Sequence, residues 1–319
     1  MNEPTGFIEM VTEHPLSAQD VINQRNDVRF SSKQLRNPED ALLFPPPYCF
    51  EIEGQNNILI YTGGTHLGHY DDVDKQKMSE DFKSEIVRRW ESFLNHGSKK
   101  KVAVIEGGII PKPEWQQFLS ETESSTEMRY QIALEKWGEV GIVTMLAEQE
   151  SIEVVSPEPQ IELEVQTLVN ELDERELKLY YFIRQAVQFH RDNPGLSVDE
   201  FRTTFGDDVK YDELLSIYES LLSETFDFND FSKLNDLTNP MKSSVDSTIV
   251  NKVAKASSDF RDRYLVSRMQ DLWNLEFSMF VVFGSKHAAS QEPAIMTFNG
   301  IIQRKKIEDQ EAGNIVVDG

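Results

Sequence analysis

Two stretches decide how this chain is read: Ile58-Leu59-Ile60-Tyr61-Thr62-Gly63-Gly64-Thr65-His66 and Phe280-Val281-Val282-Phe283-Gly284-Ser285-Lys286-His287. Each opens as a run of β-branched, aliphatic and aromatic residues closed by glycine, the pattern of a buried strand. Each then continues as Gly-x-x-His. Glycine at a strand end lets the backbone turn sharply, and ligands of open α/β sheets bind beyond the carboxyl ends of the strands. If the two runs are neighbouring strands of one sheet, His66 and His287 face a single site.

Working outward, Phe50-Glu51-Ile52-Glu53, Gly54-Gln55-Asn56-Asn57 and the run from Ile58 read as a β-hairpin. Met78, Phe82, Ile86, Trp90, Phe93 and Leu94 carry helical spacing over residues 75–95. Val102-Ala103-Val104-Ile105 is a strand that stops at Glu106-Gly107-Gly108; residues 138–149 read as a helix and 152–155 as a strand running into Ser156-Pro157-Glu158-Pro159. This alternation predicts an α/β fold with a central, mainly parallel sheet and flanking helices. Residues 161–222 turn helical, break at Pro194-Gly195 and restart with Asp199 and Glu200 in a first turn. That length exceeds one crossover, so residues 161–245 are expected to form a helical insertion that shapes or covers the site, with 225–245 as a polar loop. A helix over 247–275 leads to the second histidine strand, and residues 294–298 are expected to close the sheet as a further strand. The whole divides into an irregular arm (1–45), an α/β catalytic domain (46–303) and a flexible tail (304–319).

Composition narrows the function. With 319 residues, 39% hydrophobic, the chain can bury a full core, and its 55 acidic against 32 basic residues (net charge −23) oppose general affinity for nucleic-acid phosphates or anionic lipid. No run is long and apolar enough for a membrane span, and Met1-Asn2-Glu3-Pro4 does not open a secretory signal. The single Cys49 excludes an internal disulfide and cysteine-based zinc sites. A soluble, cytoplasmic protein is the expectation. There is no phosphate-binding loop and no Gly-x-Ser-x-Gly nucleophile elbow. Pro45-Pro46-Pro47-Tyr48 has a recognition-motif form but runs into a strand, so it reads as a rigid turn.

The strand ends supply the candidate chemistry: His66 and His69 after the first, Glu106 after the second, Glu158 after the third, His287 after the last. Imidazole and carboxylate together hold a divalent cation such as Mn2+ or Zn2+, with His66, Glu106 and His287 as ligands, or act as acid and base on a hydrolytic water. Glu106 directly follows four apolar residues, where a carboxylate needs a cationic partner. His69 is followed by Asp71, Asp72 and Asp74 and reads equally as a solvated loop. Glu139 opens the helix after Gly138, where its charge suits the helix N-terminus, or else enters the site. Glu158, between two prolines at a strand end, is likewise a candidate to enter the site. Arg261 offers a planar fork for a substrate carboxylate, phosphate or developing oxyanion; its bland alternative is a surface ion pair with Asp259 or Asp262. A histidine reaching into a solvent-filled crevice supports little packing, so replacing His66 or His287 is expected to cost at most about 1 kcal/mol.

Taken in order, the hairpin into Gly63-Gly64-Thr65-His66, the strand ending in Glu106, Arg261-Asp262-Arg263-Tyr264-Leu265 and Gly284-Ser285-Lys286-His287 resemble the TraB/TIKI group, within the superfamily of erythromycin esterases and ChaN haem-binding proteins. The match by motif covers residues 48–69, 101–108 and 258–290. The resemblance implies one site built by His66, Glu106, Arg261 and His287; His69, Glu139 and Glu158 are candidate substrate-side groups by their own positions in the sequence. It departs where Thr65 stands in place of the glutamate of erythromycin esterases, and where TIKI proteins carry a membrane anchor. The implied activity is hydrolysis of an ester, lactone or peptide. A haem- or metal-binding protein without turnover and an interaction protein with a decayed site are the alternatives.

Overall fold

The hairpin is present as β1 (Tyr48–Glu53) and β2 (Ile58–Gly64), paired antiparallel from Tyr48 opposite Gly63 to Glu53 opposite Ile58. The computed structural model describes residues 17–44, 46–64, 73–122, 125–193, 195–206, 208–242, 246–298 and 303–305. His66, His69, Asp71 and Asp72 fall outside them, as do the start of the arm (1–16), Pro45 and most of the tail (306–319). Before β1 lie α1 (Ala18–Asn23) and α2 (Pro38–Ala41); after β2 come α3 (Val73–Asn95), β3 (Lys101–Ile105), α4 (Lys112–Glu121), α5 (Thr126–Gln149) and β4 (Glu153–Val155). The insertion follows as α6 (Ile161–Leu168), α7 (Glu174–Asp192), α8 (Val198–Thr203), α9 (Asp208–Leu222) and α10 (Phe231–Leu237). The chain returns through α11 (Ile249–Asn274), β5 (Ser278–Gly284), α12 (Ser285–Ile295) and β6 (Gln303–Lys305).

The sheet order is β4-β3-β5-β2-β1-β6, with β4, β3, β5 and β2 parallel, β1 antiparallel to β2, and β6 antiparallel to β1. The two histidine strands are therefore neighbours, in a register that sets Gly64 beside Gly284. Both are buried nearly throughout, as expected of central parallel strands covered on two sides. Leu59, Tyr61, Val281 and Phe283 face α11 and α12, whereas Ile58, Ile60, Phe280 and Val282 face α3 and α5. Helix α11 serves two cores: Val250, Val253, Ala254, Phe260 and Tyr264 pack with the insertion, while Leu265, Val266, Met269 and Leu272 pack on the sheet. Arg261 and Asp262 sit where one role gives way to the other.

The structure differs from the sequence expectations in four places. Residues 294–298 do not form a strand. After Gly284 the apolar positions (Ala288, Ala294, Ile295) recur at helical spacing, so α12 forms and the edge strand is β6 against β1. The loop expected over 225–245 contains α10, where Asp230 caps the Lys233 amide at 3.0 Å and Leu234 and Leu237 bury together. The arm is built in rather than irregular over its described part: Ser17 and Asp20 make a capping box. The amides of Ala18 and Gln19 donate to the Glu153 carboxylate at 2.8 and 3.0 Å, and Ala18, Val21, Ile22 and Phe30 join the sheet core. Helix α5 bends at Gly138 (φ 59), so the helix expected after that glycine has a second arm before it. Among the described residues no helix is long and apolar enough to cross a membrane.

Candidate functional site

Three strand ends and two helices meet at one point. Beyond β3, the Glu106 amide donates to the Val282 carbonyl at 3.1 Å, which keeps its side chain beside β5. The Glu106 carboxylate then accepts the Gly284 amide through Oε2 at 2.7 Å. Gly284 caps α12, so this carboxylate sits at a helix N-terminus, where backbone dipoles favour negative charge. Its Oε1 faces Arg261 Nη2 at 3.2 Å and His287 Nε2 at 3.4 Å.

His287 lies in the first turn of α12 with its ring held from the other side, Nδ1 lying 2.7 Å from Asp262 Oδ1. Asp262 Oδ1 also accepts Gln291 Nε2 at 2.7 Å, and Gln291 Oε1 accepts the Tyr61 hydroxyl at 2.8 Å. A hydrogen-bonded chain therefore runs from Tyr61, deep in the sheet, to the imidazole, whose remaining nitrogen faces Glu106. Burial alone would push the His287 pKa down, but the carboxylates of Asp262 and Glu106 outweigh it and raise it to about 10. Burial, together with the same carboxylates, raises the Tyr61 phenol well above its ordinary value, so it stays a donor.

Arg261 anchors the opposite flank. Its Nε and Nη2 donate to the two oxygens of Glu158 at 2.6 Å each, in a fork that also reaches Glu106. Burial opposes the charge, yet Glu158, Glu106 and Asp262 raise the Arg261 pKa, so the guanidinium is a fixed cation. Glu158 in turn accepts the Gly107 amide at 3.2 Å, joining the ends of β3 and β4. Asp259, the alternative partner for Arg261, is taken by Arg263 at 2.8 Å and the Ser32 hydroxyl at 2.7 Å.

Of the residues singled out from the sequence, Glu106, Glu158, Arg261 and His287 are thus brought together. Glu158 meets Arg261 rather than open space and acts as a positioning residue. Glu139 is buried on α5. His66 and His69 lie outside the described residues; the strand leading to them ends beside the one leading to His287. The described donors for a metal are Glu106 and the His287 Nε2 edge. Among the described residues no group of three His, Cys, Asp or Glu side chains is arranged to hold an ion.

Asp262, named from the sequence only as a possible ion-pair partner of Arg261 and as part of the Arg261–Leu265 segment, and Gln291, not named at all, carry the site. Asp262 shares its helix face with Leu265, Val266 and Met269, and Gln291 shares one with Ala288, Ala294 and Ile295. A lone polar side chain on an apolar stripe was the available signal, since such a group must find a buried partner. The glycines have a further use. A Cβ on Gly63 would lie 2.6 Å from Ala288 Cβ and 2.8 Å from the Tyr48 carbonyl oxygen, so Gly63 lets the helix bearing His287 lie against β2. The first motif thereby seats the second.

Beside His287 and Arg261 opens a cavity of about 480 Å³, walled by α7, α10 and α11 and including Arg184, Arg191 and Lys286 in its lining. The insertion therefore does lie beside the strand ends. No family model, curated protein or solved structure matches the chain, so the reading of this site rests on its own geometry.

Proposed function

We propose that this protein is a hydrolase whose reaction takes place between Glu106 and His287, at the mouth of the cavity under the helical insertion. The observation that carries the proposal is the Asp262–His287–Glu106 arrangement: an imidazole fixed by one buried carboxylate and presented to a second at 3.4 Å. At that separation an imidazole N–H and a carboxylate oxygen stand side by side, an acid and a base for a water or substrate oxygen. With its pKa raised to about 10, His287 is a proton donor at neutral pH rather than a base. In ester or lactone hydrolysis, Glu106 accepts a proton from the attacking water as its oxygen bonds to the acyl carbon. His287 Nε2 gives its proton to the departing oxygen as the old bond breaks. Transfer of the proton from Glu106 to His287 resets the site. Arg261 holds Glu106 in place, and its Nη1, which makes no hydrogen bond among the described residues, remains available for the developing oxyanion.

The TraB/TIKI-like resemblance supports the same reading and adds His66 as a further participant. A divalent metal would require His66 as third ligand beside Glu106 and His287, and a carboxylate behind a metal-binding imidazole is the usual supporting arrangement. No step above depends on that ion. A small-molecule or peptide substrate and a cytoplasmic setting complete the proposal; a single cysteine, Cys49, gives an oxidising compartment no disulfide to form.

The test is a panel of esters, lactones and peptides offered to the wild type and to Glu106→Gln, which keeps shape and removes the carboxylate. The expected result is turnover of at least one class by the wild type, reduced about a hundredfold or more in the variant. Absence of turnover across the panel, or an unaffected variant, overturns the proposal.

A further inference from the structure

The cavity reverses the charge of the molecule around it. The chain carries a net charge of −23, yet Arg184, Arg191, Arg261 and Lys286 line this one space, and no aspartate or glutamate is among its described lining residues. The four cations are not equally spent. Arg261 is committed to Glu106 and Glu158. Arg184 lies 3.8 Å from Glu164, whose Oε1 already accepts the Tyr181 and Ser257 hydroxyls at 2.8 and 2.6 Å. Arg191 meets the neutral amide of Asn235 at 2.7 Å, and neither Arg191 nor Lys286 forms an ion pair among the described residues. A concave site with uncompensated cations concentrates anions, and the surrounding negative surface sharpens that contrast.

Position gives the cations a role. Lys286 immediately precedes His287 in the first turn of α12, whereas Arg184 and Arg191 project from α7, across the same cavity. Ser258 of α11 also lines the cavity and supplies a hydroxyl donor, whereas the Ser257 hydroxyl is already given to Glu164. From this geometry we infer that the substrate is a small organic polyanion, carrying at least two negative charges as phosphate or carboxylate groups. The α7 wall and Lys286 hold its anionic end while the scissile bond rests against His287 and Glu106. Arginine forks suit phosphate and carboxylate alike, so the shared chemistry is the multiply charged oxyanion. This inference rests on the hydrolase reading for the scissile bond, but its binding claim stands or falls separately.

Calorimetric titration of the full chain with inorganic pyrophosphate, with citrate and with neutral glucose tests it, repeated at low and high salt. Binding of pyrophosphate, citrate or both, weakened by salt, is expected, with no binding of glucose; the preferred anion assigns phosphate or carboxylate. Arg191→Gln and Lys286→Gln, both at exposed positions, should each weaken that binding about tenfold. Two results overturn the inference: no anion binds, or the double variant binds as the wild type does. If Glu106→Gln binds the anion but neither it nor the wild type hydrolyses any ester, the hydrolase reading fails and the anion site stands. If neutral esters turn over while no anion binds, the anion site fails and the hydrolase reading stands.

Discussion

Helix α11 carries two buried charge networks two turns apart, and they are built to different ends. At the lower one Arg268 is wholly buried (0% exposed) and donates to the backbone oxygens of Arg25 and Asp27 and to the Asp27 carboxylate, while Asp271 pairs with Arg29 at 2.8 Å. Those bonds tie the N-terminal arm across the helix. At the upper one, Asp262 is equally buried (3% exposed), but the chain it starts runs outward through His287 (17%) to a cavity. The same residue types thus serve as a clamp in one place and as a presented acid in the other. The contrast lies in where each network ends: one in backbone carbonyls, the other in an imidazole edge facing a second carboxylate.

If that contrast is right, the two networks should fail differently. Arg268→Ala leaves the Arg25 and Asp27 carbonyls without their buried donor and takes one cation from Asp271, which keeps Arg29; breaking a buried charge network of this kind costs about 3–5 kcal/mol. Urea unfolding should register that loss, while turnover per folded molecule stays near the wild-type value. Asp262→Asn should do the reverse. It keeps shape and a hydrogen bond for His287 but removes the charge that keeps the ring protonated, so kcat should fall about a hundred- to thousandfold. Equal loss of stability in both variants would dissolve the distinction. Gly63→Ala joins the two effects on a smaller scale: the added methyl must displace Ala288 or the Tyr48 backbone, at about 1–3 kcal/mol, and should shift α12 and lower kcat along with stability.

Alanine at His287 itself is a less clean test than the sequence implied. The expectation of at most about 1 kcal/mol assumed a side chain in a solvent-filled crevice. The ring instead lies between two carboxylates, one of them fully interior, so its removal leaves Asp262 with Gln291 as the donor to its shared oxygen and should cost several times as much.

Much of the fold was legible because its strands are short, apolar and stopped by glycine, and the two histidine strands pair as neighbours. Glu106, Glu158 and His287 were legible for the same reason, since each follows closely on an apolar strand run; Arg261 lies inside α11 and was picked out by the Arg261–Leu265 segment of the family resemblance. Asp262 and Gln291 were not legible, because their meaning comes from α12 crossing α11, a tertiary fact no local spacing contains. Residues 294–298 misled for a related reason: five residues are too few to separate strand from helix when the deciding repeat begins at Ala288.

The account turns on His287 being a cation held by Asp262 and Glu106 at the open end of the network, and its ring nitrogens report this directly. Because its folded pKa is raised from 6.5 to about 10, the stabilisation it contributes is fully present below pH 6.5 and is lost as pH rises through about 10. Nitrogen-15 NMR of the histidine rings, with His287 assigned by comparison with His287→Gln, should show both nitrogens protonated at pH 7.5 and loss of one proton near pH 10. A neutral His287 ring at pH 7.5 would contradict the account, because the proposed proton donor would then have no proton to give.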